Sequence, residues 1–190
     1  MKTILTKADE ASVNKAAELL QAGEIVAIPT ETVYGIAASA FNGAAVKKIF
    51  EAKGRPQDNP LIVHIDRLEM LEGLVSSVPE GAKALAQAFW PGPLTIIMPR
   101  GPKVADEVCA GLDTVAIRMP SHPVARAVIA ASGLPLAAPS ANRSGGPSPT
   151  IAQDVMADMD GRLPLILDGG ACGVGVESTV ITLAGEQPML

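Results

Sequence analysis

The sequence predicts an α/β fold, a single domain whose helices alternate with short apolar strands forming a mixed or largely parallel sheet. Three observations predict it. Helix-period and strand-like runs alternate along the chain, with no internal repeat and no linker-like tract. A length of 190 residues is enough for one domain with a sizeable core. Apolar residues make up 48% of the chain but aromatic ones only 3%, so the core must be built from Ala, Val, Ile and Leu.

Taken in order, residues 10–22 carry apolar positions at Val13, Ala16, Ala17 and Leu20, with Asp9 placed to cap a helix. IVAIP (25–29) reads as a buried strand, and 43–52 as a helix capped by Asn42 and closed by Gly54. LIVHI (61–65) is a strand, followed by helical stretches near 67–74 and 80–89. LTIIM (94–98) and VAIRM (115–119) are strands, after which Ser121 is placed to cap a helix with Pro123 in its first turn. PLAA (135–138) is a strand, 151–158 a helix, LILD (165–168) a strand and STVITL (178–183) the last strand.

Lys plus Arg number 15 against 20 Asp plus Glu, a net charge of −5, which is a poor composition for wrapping nucleic acid. Any basic site must be local. Cys109 and Cys172 are far apart and lack metal-ligand spacing, which reads as two reduced thiols. MKTILTKADE is too short in its apolar run for a signal peptide, and no stretch approaches a membrane span, so the expectation is a soluble, cytoplasmic protein. Gly and Pro are abundant, 18 and 16, and cluster at strand ends in WPGP, MPSHP, APSANRSGGPSP and LDGGACGVG. Loops stiffened in this way fix the shape of something at those ends.

The stretch KGRPQDNPLIVH puts Lys53 and Arg55 on a Pro-bounded loop that runs into a strand bearing His64. A cation at a helix end is stabilised by the dipole, which by itself would account for Lys53. Arg55 lies past the Gly54 stop and serves no helix end. Period 2 puts Leu61, Val63 and Ile65 on one face of their strand and Ile62 with His64 on the other. In VAIRM the same period sets Ala116 beside Arg118, an arginine within a strand that must be paired or face a ligand. PSANRSGG supplies Ser140, Asn142, Arg143 and Ser144 beside flexible backbone, which suits phosphate oxygens and suits turns equally. Thr30, Glu31 and Thr32 directly follow a strand, where α/β sheets bind ligands. There is no GxxxxGK[ST], no GxGxxG opening a helix, no GxSxG and no evident Ser-His-Asp set. Two histidines and unpatterned cysteines argue against a built-in zinc site, and no protein metal ligand is assigned. A cationic pocket without a nucleophile suits catalysis by positioning and charge neutralisation, as in phosphoryl or nucleotidyl transfer.

PTETVYG, KGRPQDNPLIVH, FWPGPLT, VAIRMPSHP, APSANRSG and ESTV, in this order, resemble the threonylcarbamoyl-AMP synthase family (YrdC/TsaC type) from about residue 10 to residue 185. The resemblance implies the YrdC-like fold, a twisted, open, mixed parallel and antiparallel sheet with flanking helices and a concave cationic cavity. It implies the synthesis of threonylcarbamoyl-AMP and pyrophosphate from L-threonine, bicarbonate and ATP with Mg²⁺. The product then goes to the transferase machinery that modifies tRNA. Thr32, His64, Arg118, Ala138 and Ser178 match positions that hold threonine, with Arg118 expected to fork onto its carboxylate. Arg55, Asn59, Thr114, Ser140 and Ser148 match positions that hold ATP. Lys53 and Asn142 complete the catalytic signature with Arg55 and Ser140, at phosphates and Mg²⁺ or bicarbonate. The alternatives are a non-catalytic module binding tRNA or double-stranded RNA weakly, and a carbamoyl-transfer domain like those embedded in hydrogenase-maturation proteins. The first fits poorly with the charge and the scarce aromatics. The second expects acylphosphatase and zinc-finger modules on the same chain. The expectation is one domain over 1–190, without the linker and second domain of longer members.

Overall fold

The computed structural model describes residues 2–183 and 189. Its elements are β1 (Ile4–Lys7), α1 (Glu10–Gln21), β2 (Val26–Ile28), β3 (Gly35–Ser39), α2 (Gly43–Lys53), β4 (Ile62–His64), a 3₁₀ turn (Leu68–Leu71), α3 (Glu80–Phe89), β5 (Leu94–Pro99), α4 (Asp106–Cys109), β6 (Thr114–Arg118), α5 (Pro123–Ser132), β7 (Leu136–Ala137), α6 (Ala152–Met159), β8 (Leu165–Asp168) and β9 (Thr179–Thr182). The strands form one sheet in the order β1-β8-β2-β3-β7-β4-β6-β5-β9. Parallel pairs (β1–β8, β2–β8, β4–β6, β5–β9) are mixed with antiparallel ones (β2–β3, β3–β7, β4–β7, β5–β6). The expected mixed open sheet with flanking helices is therefore present.

The helix signals act as their chemistry requires. Asp9 accepts from Ser12 N at 2.8 Å while Ser12 Oγ accepts from Asp9 N at 2.9 Å, a reciprocal cap for α1. Asn42 caps α2 through Ala45 N, and Gly54 (φ 60°) ends it in the left-handed region, so Arg55 starts a loop. At α5 the expectation was off by one residue, since His122 is the cap and its Nδ1 accepts from Val124 N at 3.2 Å. Pro123 takes the first helical position, which leaves the cap to the residue directly before it rather than to Ser121.

Three elements escaped the sequence pattern. β3 is Gly-Ile-Ala-Ala-Ser, poor in β-branched residues, yet all five are buried between β2 and β7. β1 is a short edge strand, and α4 is a four-residue turn of helix. The stretch expected to be helical near 67–74 holds only the short 3₁₀ turn. The core is aliphatic as predicted, with Tyr34 and Phe50 its largest fully buried side chains. Tyr34 OH donates to Gly170 O at 2.7 Å and so ties the glycine-rich loop after β8 to the start of β3.

Candidate active site

Parallel pairing of β4 with β6 sets His64 opposite Arg118, and antiparallel pairing of β5 sets Thr95 on Arg118's other side. The buried residues Leu61, Val63 and Ile65 share one face of the β4 segment, while Ile62 and His64 look into a cavity of about 300 Å³. Thr32, His64, Arg118, Ala138 and Ser178 all line this cavity, although five different segments carry them. A second hollow of about 330 Å³ is lined by Lys53, Arg55, Asn59, Ser140 and Asn142. Arg55 and Ser140 belong to both and form the passage between them. Thr114, at the start of β6, lines neither. Ser148 also lies outside the linings, and its hydroxyl donates to Glu177 Oε1 at 2.7 Å, with Glu177 on the cavity wall.

Arg118, which the sequence required to be paired or to face a ligand, is paired and also lines the cavity. It sits at the end of β6 and is buried. Its NH1 donates to Thr32 Oγ1 at 2.9 Å, its Nε to Gly92 O at 3.3 Å, and its NH2 lies 2.6 Å from Glu31 Oε1. Burial works to raise the pKa of Glu31, but the Arg118 charge and contact hold it below the ordinary carboxylate range. Burial, reinforced by the Arg118 charge, pushes His64 down to about 3, so the imidazole is neutral. Its Nδ1 is buried without a hydrogen-bond partner.

The hydroxyls have a defined polarity. The Thr30 proton goes to Val33 O at 2.7 Å, so in the 2.9 Å contact between Thr30 and Thr32 the donor is Thr32. Thr32 Oγ1 also accepts from Arg118, which leaves one lone pair for a ligand N–H or O–H. Ser178 Oγ lies 2.7 Å from Thr95 Oγ1, and Thr95 is fully buried. Thr95→Val removes this partner at nearly constant volume. It is expected to loosen Ser178 on the cavity wall, weaken binding of a ligand there several-fold and cost about 1 kcal/mol of stability, as read by ligand titration and thermal melting.

Lys53 does not serve its own helix end. Nζ is buried and donates to Ser140 O, to Asn142 O at 2.7 Å and to Asn142 Oδ1 at 3.4 Å. Ser140 Oγ donates to Asn142 Oδ1 at 2.6 Å, and Asn142 Nδ2 donates to Arg143 O and Gly146 O. One cation thus fixes the whole loop that carries Ser140 and Asn142. Burial, then repulsion by Arg55, lowers the Lys53 pKa to about 8, against the opposing pull of Asp158. Sequence reasoning placed Glu31 in the polar run after a strand, where ligands bind, but gave it no partner, and it met Thr95 and Glu177 only inside the runs FWPGPLT and ESTV, without a role as wall or support residues.

A family model described as Telomere recombination (Sua5/YciO/YrdC) matches residues 18–190. The chain belongs to the Sua5–YciO–YrdC family. Threonylcarbamoyl-AMP synthase of Bacillus subtilis is 58% identical over 188 residues, a match covering 96% of this chain and 54% of that protein. The crystal structure of Pyrococcus abyssi Sua5 complexed with L-threonine superposes with a TM-score of 0.93 at 50% identity, covering 98% of this chain and 55% of that one. E. coli YciO, at 22% identity and a TM-score of 0.85, shares the fold. The chain therefore spans about half the length of the Bacillus subtilis synthase and of the Pyrococcus abyssi Sua5 chain. Among the described residues no helix is long and apolar enough to cross a membrane, and both cysteines are free thiols.

Proposed function

We propose that this domain makes threonylcarbamoyl-AMP and pyrophosphate from L-threonine, bicarbonate and ATP, as a nucleotidyltransferase of the cytoplasm. The observation that carries the reading is the pair of joined hollows. One is lined by Thr32, His64, Arg118, Ala138 and Ser178 and has room for an amino acid. The other is lined by Lys53, Arg55, Asn59, Ser140 and Asn142 and has cations for phosphates. The likeness to synthase-named relatives and to a threonine-bound structure supports it.

In this reading threonine presents its carboxylate to the Arg118 N–H groups left free and a donor to the spare lone pair of Thr32. Arg55, at the passage, meets the triphosphate where the two substrates join. Thr114 and Ser148 are assigned to ATP by resemblance, and they would act from outside the two hollows. The amine lone pair forms a bond to the bicarbonate carbon, water leaves, and a threonylcarbamate results. A carbamate oxygen then bonds to the α-phosphorus as the bond to the β-phosphate oxygen breaks and pyrophosphate departs. Mg²⁺ enters as part of the MgATP substrate. Asp58 and Asn59, on the wall of the second hollow, offer the oxygen ligands that suit a hard cation carried on phosphates. The cations of the second hollow neutralise the charge that develops on the phosphates. The product would pass to the transferase machinery acting on tRNA.

The test is pyrophosphate release from MgATP with threonine or bicarbonate omitted in turn, with the nucleotide product weighed by mass spectrometry. Release that requires both, with a threonylcarbamoyl adenylate formed, is expected. RNA binding that needs no ATP, with no such product, would favour the non-catalytic module instead.

A further inference from the structure

Glu31 has no part in the reaction above, yet it stands against the best-placed cation of the amino-acid cavity. Its Oε1 is 2.6 Å from Arg118 NH2, and the two side chains are 12% and 4% exposed. Both Glu31 oxygens and Arg118 NH2 are buried without an aligned hydrogen-bond partner. A carboxylate retained for folding is ordinarily dispersed over several hydrogen bonds. For this one the Arg118 guanidinium is the main partner, ahead of the backbone N–H groups of Glu31 and Ser121, so its charge acts on Arg118 and, through it, on the adjoining cavity.

The charges around that end make the consequence concrete. Arg118 is a buried cation, Glu31 the anion against it, and His64 neutral. Thr32, Ser178 and Thr95 contribute hydroxyls only. Two more charges of opposite sign line the cavity, Glu177, which accepts from Ser148, and Arg55 at the passage, while Lys53 belongs to the second hollow. The charges on and behind this wall are thus balanced, Arg118 by Glu31 and Arg55 by Glu177, and Lys53 lies toward the other hollow. Without Glu31, Arg118 would be an uncompensated cation in a low-dielectric wall, and any small anion would be drawn to it.

We propose that Glu31 determines specificity at this end of the cavity: by cancelling the charge of Arg118 it makes the site accept a neutral zwitterion, an α-amino acid, and refuse a bare carboxylate. A ligand carboxylate alone is attracted by Arg118 and repelled by Glu31. A ligand that brings its own ammonium restores the balance, and the spare lone pair on Thr32 offers that ammonium an acceptor. Discrimination of this kind acts against the wrong ligand as much as for the right one. Bicarbonate and phosphate, which the reaction brings into the adjoining hollow, are among the anions kept off Arg118.

The inference rests on the placement of an amino acid in this cavity, and the experiment separates the two. Binding of L-threonine and of its deaminated analogue 3-hydroxybutyrate is measured by calorimetry for the wild type, Glu31→Gln and Glu31→Asp. The wild type is expected to prefer threonine by on the order of a hundredfold. Glu31→Gln is expected to cut that ratio about tenfold or more, chiefly by tighter binding of the bare carboxylate. Glu31→Asp keeps the charge and is expected to keep most of the ratio. Wild type that binds neither ligand overturns the amino-acid placement and the inference together. Wild type that binds threonine, with an unchanged ratio in Glu31→Gln, overturns the inference alone. A measurement on the wild type holds even if Glu31→Gln fails to fold. Threonine affinity should stay flat between roughly 0.05 and 0.5 M salt, because a neutral ligand meets a neutral pair. A steep fall would show a net-positive site and sink the proposal.

Discussion

Arg118→Ala should be the most damaging single substitution in the amino-acid cavity, for two separable reasons. The first is stability. The guanidinium is buried with Glu31 at 2.6 Å, and removing it strands a largely buried carboxylate whose main charge partner it is. Breaking such a pair from one side costs about 3–5 kcal/mol, a large part of the stability of an ordinary domain. Thr32 also loses the donor that fixes its hydroxyl. The second is binding. Removing the buried cation that the proposed reaction sets against the threonine carboxylate is expected to raise the threonine concentration needed for half-maximal turnover on the order of a hundredfold. Thermal melting reads the first effect and substrate titration the second. Arg118→Lys separates them, since it keeps the charge for Glu31 but not the fork, so it should recover most of the stability and little of the affinity. An unchanged threonine requirement in either variant would remove Arg118 from the pocket.

The part of this site that sequence made legible follows a physical pattern. Strand periodicity put His64 and Arg118 on the face opposite the core residues, and both do face the cavity. The five threonine-matching residues were identified by resemblance to a family, and they line one hollow. What stayed hidden was how the polar groups satisfy one another. Glu31 and Arg118 are 87 positions apart in the chain, and nothing local says that the arginine already has a partner. Thr95 lies inside an apolar strand, and only the register with Arg118 and the approach of Ser178 give its hydroxyl a use. Lys53 read as a helix-end cation because its local context contains a helix end. The carbonyls it holds come from a loop 87 and 89 residues later. In the fold, β3 was hidden for a related reason: alanine and glycine carry little strand preference, and burial between two neighbours decides its conformation.

Lys53→Met should uncouple the two hollows. Methionine fills the volume of the aliphatic stem but leaves Ser140 O and Asn142 O without their donor. An unmade bond to a buried carbonyl costs about 1–3 kcal/mol, so for two carbonyls a loss of about 2–6 kcal/mol is expected, with the loop bearing Ser140 and Asn142 released. Nucleotide binding should fall more than tenfold and threonine binding much less, because Lys53 and Asn142 line only the second hollow and Ser140 alone of this group reaches both. Equal losses of both ligands would mean general unfolding instead. The pH dependence is a separate check on the same side chain. In the folded protein the ammonium titrates at about 8, and in the unfolded chain at its ordinary 10.5. Between those values the unfolded chain holds the extra proton, so stability rises with pH across this window, by at most about 3 kcal/mol. Catalysis should move the other way, since the second hollow loses a positive charge as pH passes 8. The two curves crossing in the wild type, with the rise in stability absent from Lys53→Met, would assign both to this one amine. A stability rise that persists in the variant would assign it elsewhere.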